Sequence, residues 1–203
     1  MIKRTFYNLP PEKRAKIIDV TKKEFLKGNK QKITINTVIK NAGISRGSFY
    51  QYFDDKLDLV ELVADDTTSR MIEYIQDELL RSNGDIFALP IRLFDIMTEN
   101  VRDYSFVLSL TSGHDRNSEL VADYIRYRAT KPEIFTKVKG YIDRSKLYSA
   151  DDEDVECVMF MMFDAIRAAM INISENRADI AKERELLVKK IQIIKNGAVK
   201  VCG

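Results

Sequence analysis

Apolar residues in this sequence recur three and four positions apart along almost its whole length, and only four prolines and eight glycines in 203 residues interrupt them. That period lines up side chains on one face of a helix, whereas a half-buried strand needs strict alternation. The fold class that follows is all-α, with about nine helices. The first helix is expected to open at Pro10-Pro11, where a missing N–H is harmless, to turn Ile17, Ile18, Thr21 and Phe25 inward, and to stop at Gly28. A second opens behind Thr34 as N-cap, carries Val38, Ile39 and Ala42 inward and ends at Gly43. Ser45 caps a third, which runs to about Phe53. A long helix is expected from Asp54 to about Ser82, broken by Asn83-Gly84. Further helices are expected over about 85–102, 104–111, 116–145 (kinked or split at Pro132), 151–175 and 178–201.

Composition matters through its distribution. The formal net charge is +2. Residues 1–60 carry 13 Lys and Arg against 6 Asp and Glu, a net +7, while residues 61–203 carry 20 against 25, a net −5. A basic head on an acidic body suits a polyanionic partner, with nucleic acid first among them; an accidental basic surface is the plainer alternative. Hydrophobic residues are 45% and charged ones 32% of the chain, an ordinary globular mixture able to bury a core without metal or disulfides. Cys157 and Cys202 are far apart and form no CxxC pair, which favours a reducing cytoplasm over a disulfide framework or zinc site. No apolar run is long enough for a signal peptide or a membrane span, so no membrane partner is expected.

Residues 34–53, TINTVIKNAGISRGSFYQYF, set two short helices around Gly43-Ile44-Ser45. This is the helix-turn-helix arrangement: glycine allows the sharp turn, Ala42 allows a close crossing, and Ile44 and Phe49 fill the angle. The second helix would read the major groove with its N-terminal residues. Arg46 can meet guanine O6 and N7 or a phosphate, and Ser48 can donate to either. Gly47 lets the backbone come close to DNA. Tyr50, Gln51 and Tyr52 cannot all be buried by so short a helix; the phenols suit phosphate oxygens and Gln51 an adenine. For the tyrosines, simple packing is the other possibility. Lys56 and Thr34 are placed to reach flanking phosphates.

Residues 6–60 resemble the N-terminal domain of the TetR family of bacterial regulators. The resemblance rests on FYNLPPEKRAKIIDVTKKEF, TINTVIKNAGIS and RGSFYQYFDDKLDLV taken together; a bare Ala-Gly-Ile-Ser would be a weak match. It implies phosphate contacts from Thr34, Tyr50, Tyr52 and Lys56, with Ser45, Arg46, Ser48 and Gln51 at or near base edges. This chain departs from the family's habit at Ile39 (usually alanine), Ile33 (usually a small hydroxyl residue), Gln51 (commonly aromatic) and Tyr52 (commonly histidine). The first two bear on helix packing, the last two on operator sequence. The implied organisation is a three-helix DNA-binding domain over residues 1–56, followed by an effector-binding and dimerisation domain over 57–203.

Beyond residue 60 the resemblance implies architecture more than residue roles: the last two helices would pair with those of a second subunit. Their apolar stripe is Val155, Val158, Met159, Met162, Ile166, Met170 and Ile173, then Ile180, Leu187, Ile191 and Ile194. Such a stripe can equally be internal core. A homodimer is the expected reading because one short helix binds DNA weakly and two-fold symmetry doubles its contacts. Phe87, Phe94, Met97, Tyr104, Phe106, Tyr124 and Tyr127, with Arg126 or Arg128, would line a pocket for a small apolar or amphipathic effector, or else simply pack the domain. The resemblance further implies a palindromic operator, repression and release by ligand.

An enzyme is the first rival. The single histidine, His114, stands in Thr-Ser-Gly-His-Asp-Arg, a loop composition, and GxSxG, Walker A, GxGxxG and HExxH are all missing. No cofactor or catalytic residue is expected. The acidic run Asp151 to Asp154 reads as the first turn of a helix, complementing its dipole, rather than as a metal site. The second rival is a helical protein-interaction module of the same fold without operator binding.

Overall fold

The computed structural model describes residues 1–26, 34–99, 133–174 and 178–199. Among these residues the regular structure is helical: α1 (Arg4–Tyr7), α2 (Pro11–Leu26), α3 (Ile35–Ala42), α4 (Arg46–Tyr52), α5 (Lys56–Arg81), α6 (Leu89–Glu99), α7 (Glu133–Val138), a 3-10 turn (Lys139–Tyr141), α8 (Asp152–Ser174) and α9 (Ile180–Ala198). The fold class read from the sequence is the observed one. No described helix is long and apolar enough to cross a membrane. The chain gathers into two compact units, and the division falls inside α5, between Arg70 and Met71.

The first unit is organised around aromatic rings. Phe6 lies 5.2 Å from Phe53, Phe53 lies 5.2 Å from Phe49, and Tyr52 meets Phe6 edge-on at 6.4 Å. Ile2, Ile17, Val38, Ala42, Ile44, Leu59 and Leu62 complete this core. Offset and edge contacts of this kind add about 0.5–1.5 kcal/mol per pair to the area they bury. Helix ends are set by local chemistry. Pro11 opens α2 and Thr34 caps α3, its hydroxyl accepting the Thr37 N–H at 3.2 Å. Gly43 ends α3 at φ +69°, with Ile44 N–H reaching the Ile39 carbonyl and Gly43 N–H the Lys40 carbonyl. That bond pair closes a left-handed helix end. The expected stop at Gly28 lies outside the described residues.

In the second unit α6 packs on α8 and α9, which pack on each other. Leu89, Leu93, Phe94 and Met97 are buried on α6, as are Val155, Met159, Met162, Ile166 and Met170 on α8 and Leu187 and Ile191 on α9. After α5 the chain turns through Asn83 (φ +51°) and Gly84 (φ +79°), as the Asn-Gly pair predicts. Asp143 N–H donates to the Gly84 carbonyl at 3.1 Å, so the chain after the 3-10 turn is drawn across this corner. This explains a difference from the sequence reading, in which a helix continued to about 145. Its helical path ends at Tyr141, beyond Gly140, and Leu147 instead forms an isolated bridge with Val199. The expected helix over 104–111, like Pro132 and His114, lies outside the described residues.

Candidate nucleic-acid interface

The geometry of α4 begins with its cap. Ser45 Oγ accepts the Ser48 N–H at 3.0 Å and lies 2.8 Å from Ser48 Oγ, so both hydroxyls are engaged in starting the helix. From that start the seven residues sort by the helical period. Phe49 and Tyr52 turn inward, and Arg46, Gly47, Tyr50 and Gln51 form an exposed strip on the opposite side, with Ser48 half-buried between. The strip offers a guanidinium, a phenol, an amide and a stretch of bare backbone, which together can donate to phosphates and read base edges. At Gly47 an added Cβ would meet only Ser45 Oγ, at 3.8 Å. Among the described residues nothing requires glycine there.

The two tyrosines divide. Tyr50 is 43% exposed and leans edge-on against Phe49, while Tyr52 is 7% exposed and is counted in the core. Lys56 is half-buried at the start of α5, and Thr34 is exposed but occupied as a cap. Seven of the nine residues singled out at this end therefore lie on α4 or its cap, with Lys56 at the start of α5 and Thr34 at the start of α3.

Two basic residues that the sequence reading left out lie beside the helix-turn-helix. Lys16 on α2 has its ammonium 3.6 Å from where a Cβ on Gly43 would stand, at the turn itself. Lys13 stands one turn earlier, its ammonium 6.0 Å from the centre of the Tyr52 ring. The signal for them was the three-residue spacing of basic residues on α2, legible only once α2 is known to pack on α3.

The C-terminal end of α4 is fastened by the segment preceding α2. Lys3 N–H donates to the Tyr52 carbonyl at 2.9 Å, Lys3 Nζ to the Tyr50 carbonyl at 2.7 Å, and Thr5 Oγ1 to the Gln51 carbonyl. Lys3 Nζ also lies 2.7 Å from Asp54 Oδ1, and this contact is the main cause that holds the Asp54 carboxyl below its usual pKa. Asp58, buried at the first turn of α5, accepts the Asp54 N–H at 2.6 Å.

The other candidate residues fall in the second unit. Phe94 and Met97 are buried; Phe87, also buried, borders a cleft of about 200 Å³ between the start of α6 and α9, with Lys195 Nζ 5.4 Å over its ring. Tyr104, Phe106, Tyr124 and Tyr127, with Arg126 and Arg128, lie outside the described residues. Of the apolar stripe, Val155, Met159, Met162, Ile166, Met170, Leu187 and Ile191 are buried within the single chain, Val158, Ile173 and Ile194 are half-buried, and Ile180 is exposed. Exposed instead are Phe160 (54%), Met161 (50%) and Ile193 (72%).

Comparison with known proteins agrees with this geometry. Residues 17–63 match the family described as bacterial regulatory proteins, tetR family. No curated protein matches the chain. Among solved structures, a TetR-family transcriptional regulator from Mesorhizobium loti MAFF303099 is similar in fold, with TM-score 0.63 and 16% identity over 93% of this chain and 98% of that one. One from Rhodococcus sp. RHA1 gives TM-score 0.56 and 11% identity over 89% and 95% of the two chains. One from Streptomyces coelicolor gives 0.52 and 18% over 93% and 82%. At these identities the likeness is one of fold. Residues 17–63 thus match the N-terminal domain of the tetR family of bacterial regulatory proteins, and the chain as a whole shares the fold of the TetR-family regulators to which it is similar.

Proposed function

We propose that the protein is a cytoplasmic transcriptional repressor that binds a palindromic operator as a homodimer and leaves it when a small apolar or amphipathic molecule binds. The observation that carries the reading is the outward strip of α4, where Arg46, Gly47, Tyr50 and Gln51 stand exposed on a helix capped at one end and fastened at the other. Such a helix can enter a major groove without reorganising. In this reading residues 1–56 are the DNA-binding domain and 57–203 the effector and dimerisation domain. Arg46, Ser48 and Gln51 meet base edges. Tyr50, Lys56 and Thr34 meet phosphates, Tyr52 offers at most its hydroxyl, and Ser45 acts mainly as a cap. Lys13 and Lys16 add phosphate contacts from α2.

The dimer face in this reading is the outer side of α8 and α9. Cys157, Phe160, Met161, Asp164 and Ala168 are exposed at helical spacing along α8, and Leu186 and Ile193 along α9. Large apolar side chains gathered on a surface mark an interaction site more often than isolated ones do. Two copies joined there would present two α4 helices to half-sites about 34–36 Å apart, or a multiple of that. Phe87, Phe94 and Met97 would contribute to the effector site together with Tyr104, Phe106, Tyr124 and Tyr127.

The test is selection of fragments of the source genome by the purified protein at two salt concentrations. Enrichment of a palindrome, with affinity falling steeply as salt rises, supports the reading. Failure to enrich any sequence, before and after refolding to strip a carried ligand, favours the interaction-module alternative.

A further inference from the structure

A helix leaves its last four carbonyls without intrahelical partners, and in α4 these belong to Phe49, Tyr50, Gln51 and Tyr52. All four are satisfied. Phe53 N–H takes the first at 2.9 Å, and the other three go to Lys3 Nζ, Thr5 Oγ1 and Lys3 N–H. Residues 3 and 5 therefore act as the C-terminal cap of a helix more than forty residues away, with a lysine ammonium at its negative end, where a cation is favoured. Ile2 and Phe6 anchor this strap in the aromatic core. A helix of seven residues has little stability of its own, because so few bonds follow its costly nucleation. With Gln51 in its final turn, that turn must be rigid for the amide to select among base sequences.

We propose that Lys3 and Thr5 are positioning residues for operator recognition: they contact no DNA, and they set sequence discrimination by holding the last turn of α4. The proposal rests on the DNA-binding reading above, and it has a consequence that is read without DNA.

Lys3→Met and Thr5→Val keep approximate side-chain volume and remove the donors; Lys3→Arg and Thr5→Ser restore them. In the free protein, amide hydrogen exchange of residues 50–53 should quicken at least tenfold in the first pair, with α2 and α5 amides unchanged. Affinity for the operator recovered by genomic selection should fall about ten- to a hundredfold. Affinity for a random-sequence duplex should stay within twofold, with an unchanged salt slope, since no cationic contact to a phosphate is lost. The restoring variants should recover both readouts. Unchanged exchange at residues 50–53 overturns the proposal. So does equal loss on both duplexes with a shallower salt slope, which would make Lys3 a phosphate contact. Faster exchange throughout the first unit also overturns it, since the strap would then be structural only. Should the wild-type protein select no operator, the DNA-binding reading fails, while the exchange experiment still decides whether the strap holds the helix.

Discussion

Arg46 opens α4 with its side chain exposed, one residue beyond the cap that starts the helix. If it reads a guanine, Arg46→Ala should cost about 1–3 kcal/mol on the operator and relax preference at one base pair per half-site. Competition among singly substituted operators measures this, and a uniform loss at every position would instead make Arg46 a phosphate contact. Lys56→Ala should weaken binding on every sequence and lower the salt slope by roughly one. Ser45→Ala removes the cap and should lower stability by about 1 kcal/mol in denaturant titration, whatever it does to DNA. The residues of the strip were legible because their chemistry and their period both lie within residues 45–52. The depth of Tyr52 was not, since the ring that covers it belongs to Phe6, and no local pattern announces a contact 46 residues away.

At the scale of elements, two glycines with similar backbone angles carry different burdens. An alanine at Gly43 would meet nothing closer than the flexible end of Lys16, so Gly43→Ala should cost only the left-handed strain, about 1–2 kcal/mol. At Gly84 the added carbon would stand 2.3 Å from the Asp143 nitrogen and 2.9 Å from the Tyr141 carbonyl oxygen, both backbone atoms. Gly84→Ala should therefore destabilise by clearly more than Gly43→Ala, which chemical denaturation of the two variants can compare. The first residue of α8 gives a prediction in pH. Asp152 lies 2.6 Å from Lys139 Nζ and 2.7 Å from Arg144, and its carboxyl is held below its usual pKa, chiefly by Lys139 and then by Arg144. The stabilisation is present above the ordinary carboxylate value and fades as pH falls through the lower folded one. Asp152→Asn should thus lower the melting temperature at pH 7 and leave it nearly unchanged near pH 2. Helix starts and stops were largely readable from Pro, Ser, Thr and Gly. The early end of the segment before α8 was not, because it is imposed by docking on Gly84 rather than by its own residues.

For the molecule as a whole, the apolar positions of α8 outnumber those one face can hold. Met162 is buried while Met161 beside it is half exposed, and periodicity counts both alike. The sequence could therefore reveal an apolar stripe without telling an internal neighbour from an external one. The two classes predict opposite behaviour. Phe160→Lys or Ile193→Lys should shift the protein towards monomer in sedimentation at micromolar concentration and leave the helical content intact. Met162→Ala should lower stability by about 2–5 kcal/mol by opening a cavity. If the surface variants sediment as the wild type does, the outer side of α8 and α9 is not the dimer face.

The strap also bears on how the molecule comes into being. The bonds from Lys3 and Thr5 to α4 join residues 47 and 46 apart, so the chain must close a long loop before they form. Loop closure is an entropic cost that precedes the contacts it makes possible. During synthesis the first residues must wait for the fifty-second to emerge, and α4 acquires its last turn only when the first unit closes around it. A partly folded chain would then lack a finished reading helix. On the DNA-binding reading proposed above, the ability to discriminate sequence would arrive together with the folded state.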